Sequence, residues 1–475
     1  MRDPWAEKYQ REVYERVDFN DETGCRPATE DGVLLCPRPV VRDGRCILHA
    51  PKLTREERAA LTESEAREEA QFEAAFAKAL LEMVGAQKLL PSGIDFQAVH
   101  FTDIAWNQPP WLNVLSGHFV NFTMAVFHRQ AIFPRFGKEV WFTKSVFRDH
   151  AAFVGFDNGV HFNSAVFEGP AQFSGTHFNG WVNFHDAHFE KSVEFSWPKV
   201  HGRIWFKGVD GNSVFADDAK FSRLEVAPSA EVIFEDVSLE KASFLNCNIE
   251  PLKFLNVRWC GATRGHGGRM STRKRLWDEQ RIQAQGADPG IRHAIAENYR
   301  QLVRSYEARR DFDLAEDFHI GEMEMRRIGA GPQLPRSLGR VEPWLNAYAL
   351  YRFLSVYGTS YWRALGILIC MVLFVSTVFL FTGLAATGPP TIGSSPLLIK
   401  YHFPAVTGEP RVGMLEVVRD FGQAFVHTLS VLTFQRERSY RAASAYSQAF
   451  EAIASIFLTG QTAMLLLAIR RRFKR

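Results

Sequence analysis

Phenylalanine recurs between residues 94 and 257 at a spacing that neither a helix nor a flat strand explains. Partners lie five residues apart, and from Phe162 successive pairs begin eleven residues apart, so the interval alternates between five and six. Five residues overshoot one helical turn by about 140°, and a strand repeats every two residues. A chain that turns a corner every five residues keeps each Phe inside, while each coil hydrogen-bonds to its neighbours. The core ladder predicted here is Phe142, Phe147, Phe162, Phe167, Phe173, Phe178, Phe184, Phe189, Phe195 and Phe206.

Composition also indicates a repetitive fold. The 475 residues include 40 Phe but only 11 Trp and 11 Tyr, whereas an ordinary core uses more Leu, Ile and Val. Small residues stand two positions before many of the Phe residues, as Ala165 and Ala187 do. These small residues suit a narrow interior corner.

The segments AQFSGTHF and VNFHDAHF resemble the pentapeptide-repeat family, in the variant with Phe at the central position. The resemblance implies a mainly β fold, a right-handed quadrilateral β-helix of about eight coils over residues 94–257. The stretches 106–121 and 207–233 keep the period poorly, so loops or irregular coils are expected there.

Residues 1–52 contain a cluster of candidate metal ligands, Cys25, Cys36, Cys46 and His49, in a segment rich in turn-forming residues. Four N/S ligands suit a structural, tetrahedral zinc ion and leave no open position for catalysis. Membrane proteins of the pentapeptide-repeat family look similar here, with a Cys-Ile-x-His segment before the repeats. The alternative is a set of buried, reduced cysteines with an incidental His49, since the spacing is looser than that of paired C-x2-C motifs.

Two further segments flank the repeats. Residues 53–93 are predicted to form an amphipathic helix, with Thr54 as N-cap and Phe72, Phe76, Leu80 and Met83 on one face, that caps the open end of the β-helix. Residues 258–345 are predicted to hold a linker or loose helix over 262–290, followed by a helical hairpin that turns at residues 309–311. The stretch from Ala296 to Arg327 is also similar to a recurrent segment of membrane-bound pentapeptide-repeat proteins.

Residues 346–475 are predicted to form a membrane module. Residues 364–386 carry no charge and are long enough to cross a hydrocarbon core of about 30 Å. The second predicted span covers about residues 448–469. Arg352 and Arg363 precede the first span and the Arg/Lys-rich end 470–475 follows the second, so both termini are expected in the cytoplasm, in a multi-pass protein of the cell (inner) membrane.

Between these spans, residues 421–434 are apolar but too short to cross, and a re-entrant segment is one interpretation. Helix, half-helix, helix is distantly similar to pore-loop ion channels. Thr433 and Gln435 stand where a filter would follow, but arginines rather than glycines come next, so potassium selectivity is not expected. Glu451 and Gln461 are candidates for contacts to a pore or to another helix. An outer loop with an amphipathic interfacial segment is the other interpretation.

Two functions follow from this organisation. The first is a membrane-anchored cytoplasmic β-helix scaffold that binds an unidentified protein; the alternative is an ion-channel-like pore with the repeats as its sensor domain. No catalytic motif is present, so we expect no enzymatic activity. The partners expected are the lipid membrane, a protein that binds the β-helix, and further copies of the chain. The family resemblance also implies a third possibility, because some soluble pentapeptide-repeat proteins mimic a DNA duplex. That role needs a strongly acidic rod, whereas residues 94–257 carry 18 acidic against 13 basic residues, so we do not expect it. No nucleic-acid partner is expected either.

Overall fold

The computed structural model forms two compact units, 1–305 and 306–475. The residues that it describes are the strands 24–25, 28–29, 32–33 and 36–42, and the ranges 45–87, 93–109, 111–209, 214–266, 269–285, 288–329, 347–386, 414–435, 440–442 and 444–473.

The described part of the N-terminal segment contains a small antiparallel sheet and two helices. The sheet has the order Gly24–Cys25, Cys36–Arg42, Arg45–Cys46, and a second ribbon pairs Ala28–Thr29 with Gly32–Val33. Helix α1 spans Arg55–Ala59 and α2 spans Glu63–Gln87. Thr54 is the N-cap of α1, as predicted: its hydroxyl accepts from the Glu57 amide at 3.2 Å, and the Glu57 carboxylate accepts from the Thr54 amide at 2.7 Å.

Helix α2 covers the first coil of the repeat region. Phe76 and Leu80 are buried, and the Phe76 ring lies edge-on to Phe101 at 6.3 Å. Arg129 joins this helix to the coils, because its guanidinium donates to Glu73 at 2.6 Å and to Asp103 at 3.0 Å. Helix α2 therefore lies where a cap of the solenoid was expected.

The repeat region is a β-solenoid with four walls of short parallel strands. In the part of the chain that the structure describes, wall 1 has eight strands, so seven turns separate the first from the last. Its strands are Ile94–Asp95, Val120–Asn121, Val140–Trp141, Val160–His161, Val182–His185, Arg203–Lys207, Glu231–Glu235 and Leu252–Leu255. Those of wall 2 are His100–Phe101, Val126–Phe127, Val146–Phe147, Val166–Phe167 and His188–Phe189.

Walls 3 and 4 share one sheet, because two strands are long enough to run across both. These two are Ala131–Phe136 and Ala151–Phe156. Wall 3 continues with Ala171–Gln172, Val193–Ser196, Ala219–Ser222 and Ala242–Ser243, and wall 4 with His177–Phe178, Lys199–Val200 and Glu225–Val226.

The strand register explains the spacing of the phenylalanines. Val140 pairs with Val160, which gives a coil of 20 residues, and Val160 pairs with Val182, which gives one of 22. Alternating intervals of five and six add up to a 22-residue coil of four sides. The two irregular stretches predicted from the sequence lie in longer coils: one contains helix α3, Trp111–Gly117, and the other runs from Ile204 to its partner Val232.

All ten predicted ladder residues are buried, with exposures of 2% or less. Along wall 1 the rings of successive coils stack face to face: Phe142 lies 5.1 Å from Phe162, and Phe184 lies 4.9 Å from Phe162 and 4.8 Å from Phe206. Rings from different walls meet edge to face, as Phe173 and Phe184 do at 5.6 Å. The ten rings therefore belong to the buried core of the coils.

The corners after wall 1 are tight turns. In one coil the Phe162 carbonyl accepts from the Ala165 amide at 3.1 Å, and Ser164 between them has φ 52°. Lys144 and Asp186 hold the same left-handed conformation in the neighbouring coils. The Ala165 side chain is fully buried at the inner side of the turn, which is where small residues were expected.

The far end of the solenoid differs from the predicted linker. Residues 262–290 were expected to be a linker or loose helix, but Cys260–His266 and Arg269–Arg275 form an antiparallel ribbon, followed by α4, Trp277–Gln285. The residues of the ribbon have neither helical nor five-residue periodicity, so the spacing of apolar residues did not predict these strands. Two helices, α5, Pro289–Ala308, and α6, Phe312–Gly329, occupy the residues for which the helical hairpin was predicted.

Polar side chains from α4 and α5 close the last coil. The Asp278 carboxylate accepts from the Ser243 hydroxyl at 2.5 Å and from the Phe244 amide at 2.8 Å. The Asn298 amide donates to the Phe244 carbonyl at 2.6 Å. These side chains therefore satisfy backbone groups that a further coil would otherwise satisfy.

Within its described residues, the second unit also contains four C-terminal helices: α7, Ala347–Ser355; α8, Tyr361–Thr382; α9, Met414–Leu432; and α10, Ala445–Phe473. A ribbon pairs Leu384–Ala386 with Tyr440–Ala442. Among the described residues, two helices, α8 and α10, are long and apolar enough to cross a membrane by length and composition. They overlap the predicted spans 364–386 and 448–469, although residues 384–386 are in the ribbon rather than the helix.

Candidate functional site

Helix α9 runs alongside α8 in the opposite direction. Near its beginning, Phe421 packs against the cluster that contains Phe379, near the end of α8, and Leu384, in the ribbon strand that follows α8. Near its end, Leu432 packs against a cluster that contains Leu368. Residues 421–432 of the predicted segment therefore form the greater part of a 19-residue helix that packs along α8, and residues 433–434 follow its end.

The C-terminal end of α9 lies beside the middle of α8. Leu368 and Val372, which form the cluster beside Leu432, are the eighth and twelfth of the 22 residues in α8. Tyr440, only eight residues after Leu432, pairs with Ala386 beyond the end of α8. At 1.5 Å per residue, about 20 Å separates these two levels. The chain thus runs from one end of α8 to its middle and returns to the same end.

Polar side chains connect the three helices inside this bundle. The Ser376 hydroxyl of α8 donates to the Thr428 hydroxyl of α9 at 3.0 Å, and both side chains are buried. The imidazole Nε2 of His427 lies 3.5 Å from a Glu451 carboxylate oxygen of α10. The Phe379 ring covers His427 edge-on at 4.9 Å.

The four polar residues predicted for this module fall into two groups. Glu451 faces His427, and the Gln461 amide donates to the Ala364 carbonyl at 2.8 Å, so both connect helices. Thr433 and Gln435 follow the end of α9 and are exposed in the single chain. The Thr433 hydroxyl donates to the Leu429 carbonyl at 2.8 Å.

Sequence reasoning did not single out His427 or its neighbours. A single ionisable residue inside the apolar stretch FGQAFVHTLSVLTF was the available signal, because such a residue needs a polar partner when buried. The pairing of Ser376 with Thr428 had no sequence signal, since hydroxyls in apolar helices usually bond to their own backbone.

The candidate metal ligands are partly described. Cys25 lies opposite Cys36 in the register of the small sheet, but their side chains are outside the described residues. Cys46 and His49 are buried, with the thiol sulfur 3.3 Å from the imidazole Nδ1. A tetrahedral zinc ion holds S and N ligands about 3.6 Å apart. The described pair therefore fits two of the four ligands; no group of three or more metal-binding side chains occurs among the side chains that the structure describes.

A second pair of imidazoles lies between the N-terminal segment and the first coils. His100 Nδ1 and His128 Nε2 are 2.9 Å apart. Burial lowers the pKa of His100 to about 3 and that of His128 to about 4, and neighbouring cationic groups act in the same direction. Both imidazoles are therefore neutral at physiological pH and act as packed, hydrogen-bonded groups.

The outer surface of wall 1 carries a column of aromatic side chains. Phe119 contacts Trp141 at 5.2 Å, Trp141 contacts His161 at 6.1 Å, and His161 contacts Trp181 at 5.8 Å. Glu139 accepts from the Trp141 indole at 2.7 Å. Trp181, at the end of the column, is 45% exposed.

Comparison with known proteins identifies the repeats. The family model for pentapeptide repeats (9 copies) matches residues 156–196, the coils in which the five-and-six alternation is most regular. No curated protein and no solved structure matches the chain.

Proposed function

We propose, for a chain whose β-solenoid is a pentapeptide-repeat domain, that the C-terminal helices form an oligomeric, membrane-embedded pore. The position of the α9 end beside the middle of α8 is the observation that carries the proposal. In this proposal α8 and α10 span the bilayer, α9 is re-entrant, and both termini are cytoplasmic.

The argument begins with the cost of backbone groups in a bilayer. If α8 crosses the membrane, then α9 ends near its centre, where no water satisfies free carbonyls. Irregular backbone occurs at that depth only where protein buries it or where it lines a water-filled cavity. In the single chain Thr433, Phe434 and Gln435 are exposed rather than buried. Several copies arranged around an aqueous path would place these residues against protein or against water rather than lipid.

The packing of α9 also favours this position over an interfacial loop. A helix lying in the outer interface buries its apolar face in lipid, whereas α9 buries Thr428 and His427 against α8 and α10. Gln435 is followed in the sequence by Arg436, Glu437 and Arg438, so the pore is not built from glycine carbonyls and is not potassium-selective.

Ion flux through liposomes that contain the full-length protein tests the pore. Thr433→Val removes a hydroxyl from the end of α9 and should lower the flux. Thr377→Val in α8 is the matched control, because Thr377 is also exposed and its hydroxyl donates to Leu373 at the same 2.8 Å. Equal flux in the two variants would show that the Thr433 hydroxyl does not contribute to the ion path. No flux for any of several cations and anions, with correctly inserted protein, would reject the pore.

A second candidate function is a scaffold that binds another protein through the aromatic column of wall 1. Exposed Trp side chains are strongly enriched among residues that dominate binding energy. Trp141→Ala together with Trp181→Ala should abolish binding to any partner identified in the native membrane and leave flux unchanged. A partner that binds this double variant normally would show that the column is not the binding surface.

We also propose that Cys25, Cys36, Cys46 and His49 hold one structural zinc ion. The support is the Cys25 to Cys36 register and the spacing of the Cys46 and His49 side chains. Metal analysis of the full chain should find one zinc per chain, and Cys46→Ser should lose it. If the purified chain contains no zinc and the thiols of Cys25, Cys36 and Cys46 all react with an alkylating reagent after reduction, the result would instead support reduced, unliganded cysteines.

A further inference from the structure

Helix α7 exposes an apolar stripe immediately before α8. Leu350 and Phe353 lie on one side of this nine-residue helix and are 55% and 56% exposed. Two large apolar side chains three residues apart on so short a helix form a patch rather than scattered surface residues.

A strained turn separates this helix from α8. Val356, Tyr357 and Gly358 have φ values of 51°, 60° and 74°, so three successive residues adopt the left-handed conformation. Such a conformation is costly for Tyr and more so for a β-branched Val, and it persists only where the surroundings enforce it. The turn prevents α7 and α8 from forming one continuous helix.

Contacts from three sides hold the turn in place. The Tyr357 hydroxyl donates to Glu324 of α6 at 2.9 Å, and Arg471 of α10 donates to the Tyr357 carbonyl at 3.1 Å. Glu324 also accepts from Arg352, whose Nε lies 3.2 Å away. Because these groups fix α7 on its polar side, the stripe with Leu350 and Phe353 stays on the opposite side.

The stripe continues onto the beginning of α8. The Arg363 guanidinium lies 5.6 Å above the Phe353 ring, and the Trp362 side chain is 69% exposed. Further along α8, Ile369 and Phe374 are also exposed. Apolar side chains followed by Trp and Arg at the end of an apolar helix are typical of the region between lipid tails and headgroups.

We infer that α7 lies in the inner membrane interface, with Leu350 and Phe353 inserted among phospholipid headgroups and acyl chains. The inference rests on the proposed membrane insertion of α8. It adds a contact with the bilayer besides the two spans and the re-entrant α9, and the turn at Val356–Gly358 directs the chain from the membrane plane into the span.

Photo-crosslinking with p-benzoylphenylalanine tests this inference in the full-length chain in native membranes. The amino acid replaces Leu350 in one variant and Phe353 in another. Phe374, which is 65% exposed in the middle of α8, reports whether that helix is in lipid. Val154 is the matched control, since it is 53% exposed but lies on the outer surface of the solenoid.

The expected result is a mass increase of one phospholipid at positions 350, 353 and 374, and none at 154. Lipid adducts at 374 together with protein adducts or no adduct at 350 and 353 would overturn the interfacial position of α7 and leave the membrane proposal intact. Equal lipid labelling at 154 and 350 would also overturn it, as nonspecific. Absence of lipid adducts at 374 would refute both proposals.

Discussion

Replacing Phe184 by alanine should destabilise the solenoid more than any surface change. The ring is fully buried, stacked between Phe162 and Phe206 at 4.9 and 4.8 Å, and in contact with the edges of Phe173 and Phe195. Truncation of a buried Phe costs about 3–5 kcal/mol, from lost transfer free energy plus the cavity that remains.

The upper part of that range is expected, because the coils cannot close the cavity. The spacing of adjacent coils is fixed by backbone hydrogen bonds around this position, from Phe162 to Asn183 at 2.7 Å and from Asp186 to Lys207 at 2.8 Å. Lost ring stacking adds about 0.5–1.5 kcal/mol per aromatic pair. For a domain of this size, each kcal/mol lowers the melting temperature by about 2–4 °C, so a decrease of roughly 10 °C or more is expected.

Thermal unfolding of the purified full-length protein, followed by the β-sheet circular dichroism signal, measures the effect. Val154→Ala is the control, since an exposed side chain on the outer surface should change stability by less than about 0.5 kcal/mol. If Phe184→Ala lowers the stability by no more than Val154→Ala does, the ladder does not stabilise the solenoid and the reasoning is wrong.

Two further predictions concern the ends of the solenoid. Asp278→Ala leaves the Ser243 hydroxyl and the Phe244 amide buried without an acceptor, which should cost about 1–3 kcal/mol in the same unfolding assay; an unchanged melting temperature would refute this capping role. In the folded chain the pKa values of His100 and His128 are lowered to about 3 and about 4, so both imidazoles stay neutral at pH values where those of the unfolded chain bind protons, near pH 6.5. Their contribution to the free energy of unfolding is therefore constant above about pH 6.5. Stability should fall as the pH drops from there toward 4. A variant with both residues changed to Gln should lose part of this decrease between about pH 7 and about pH 5, and an identical pH dependence in both proteins would contradict the assignment.

The solenoid was predictable because its contacts recur at nearly constant sequence separations. A Phe stacks on the Phe of the next coil 20 or 22 residues away, as Phe142 does on Phe162 and Phe162 on Phe184. The same sequence spacing therefore recurs in successive coils. The sequence indicated which coils depart from this period, but it did not predict the structure within them, such as helix α3. A break in a pattern indicates only where the repeat stops.

The ends of the solenoid and the helical module depend on contacts that occur once. Asp278 reaches Ser243 across 35 positions, and Gln461 reaches the Ala364 carbonyl across 97. The metal candidates show an intermediate case: their residue types were visible in the sequence, whereas the opposition of Cys25 and Cys36 required the sheet register.

The sequence alone therefore determined the repeating core, the two long apolar helices and the residue types at the candidate sites, because composition and period are local properties of a chain. Only the tertiary structure decided that α9 packs along α8 and ends at its middle, that His427 faces Glu451, and that the Val356–Gly358 turn leaves Leu350 and Phe353 exposed. Each of these depends on which side chains meet after the chain has folded. Such nonrepeating, long-range contacts leave no periodic signal in the order of the residues.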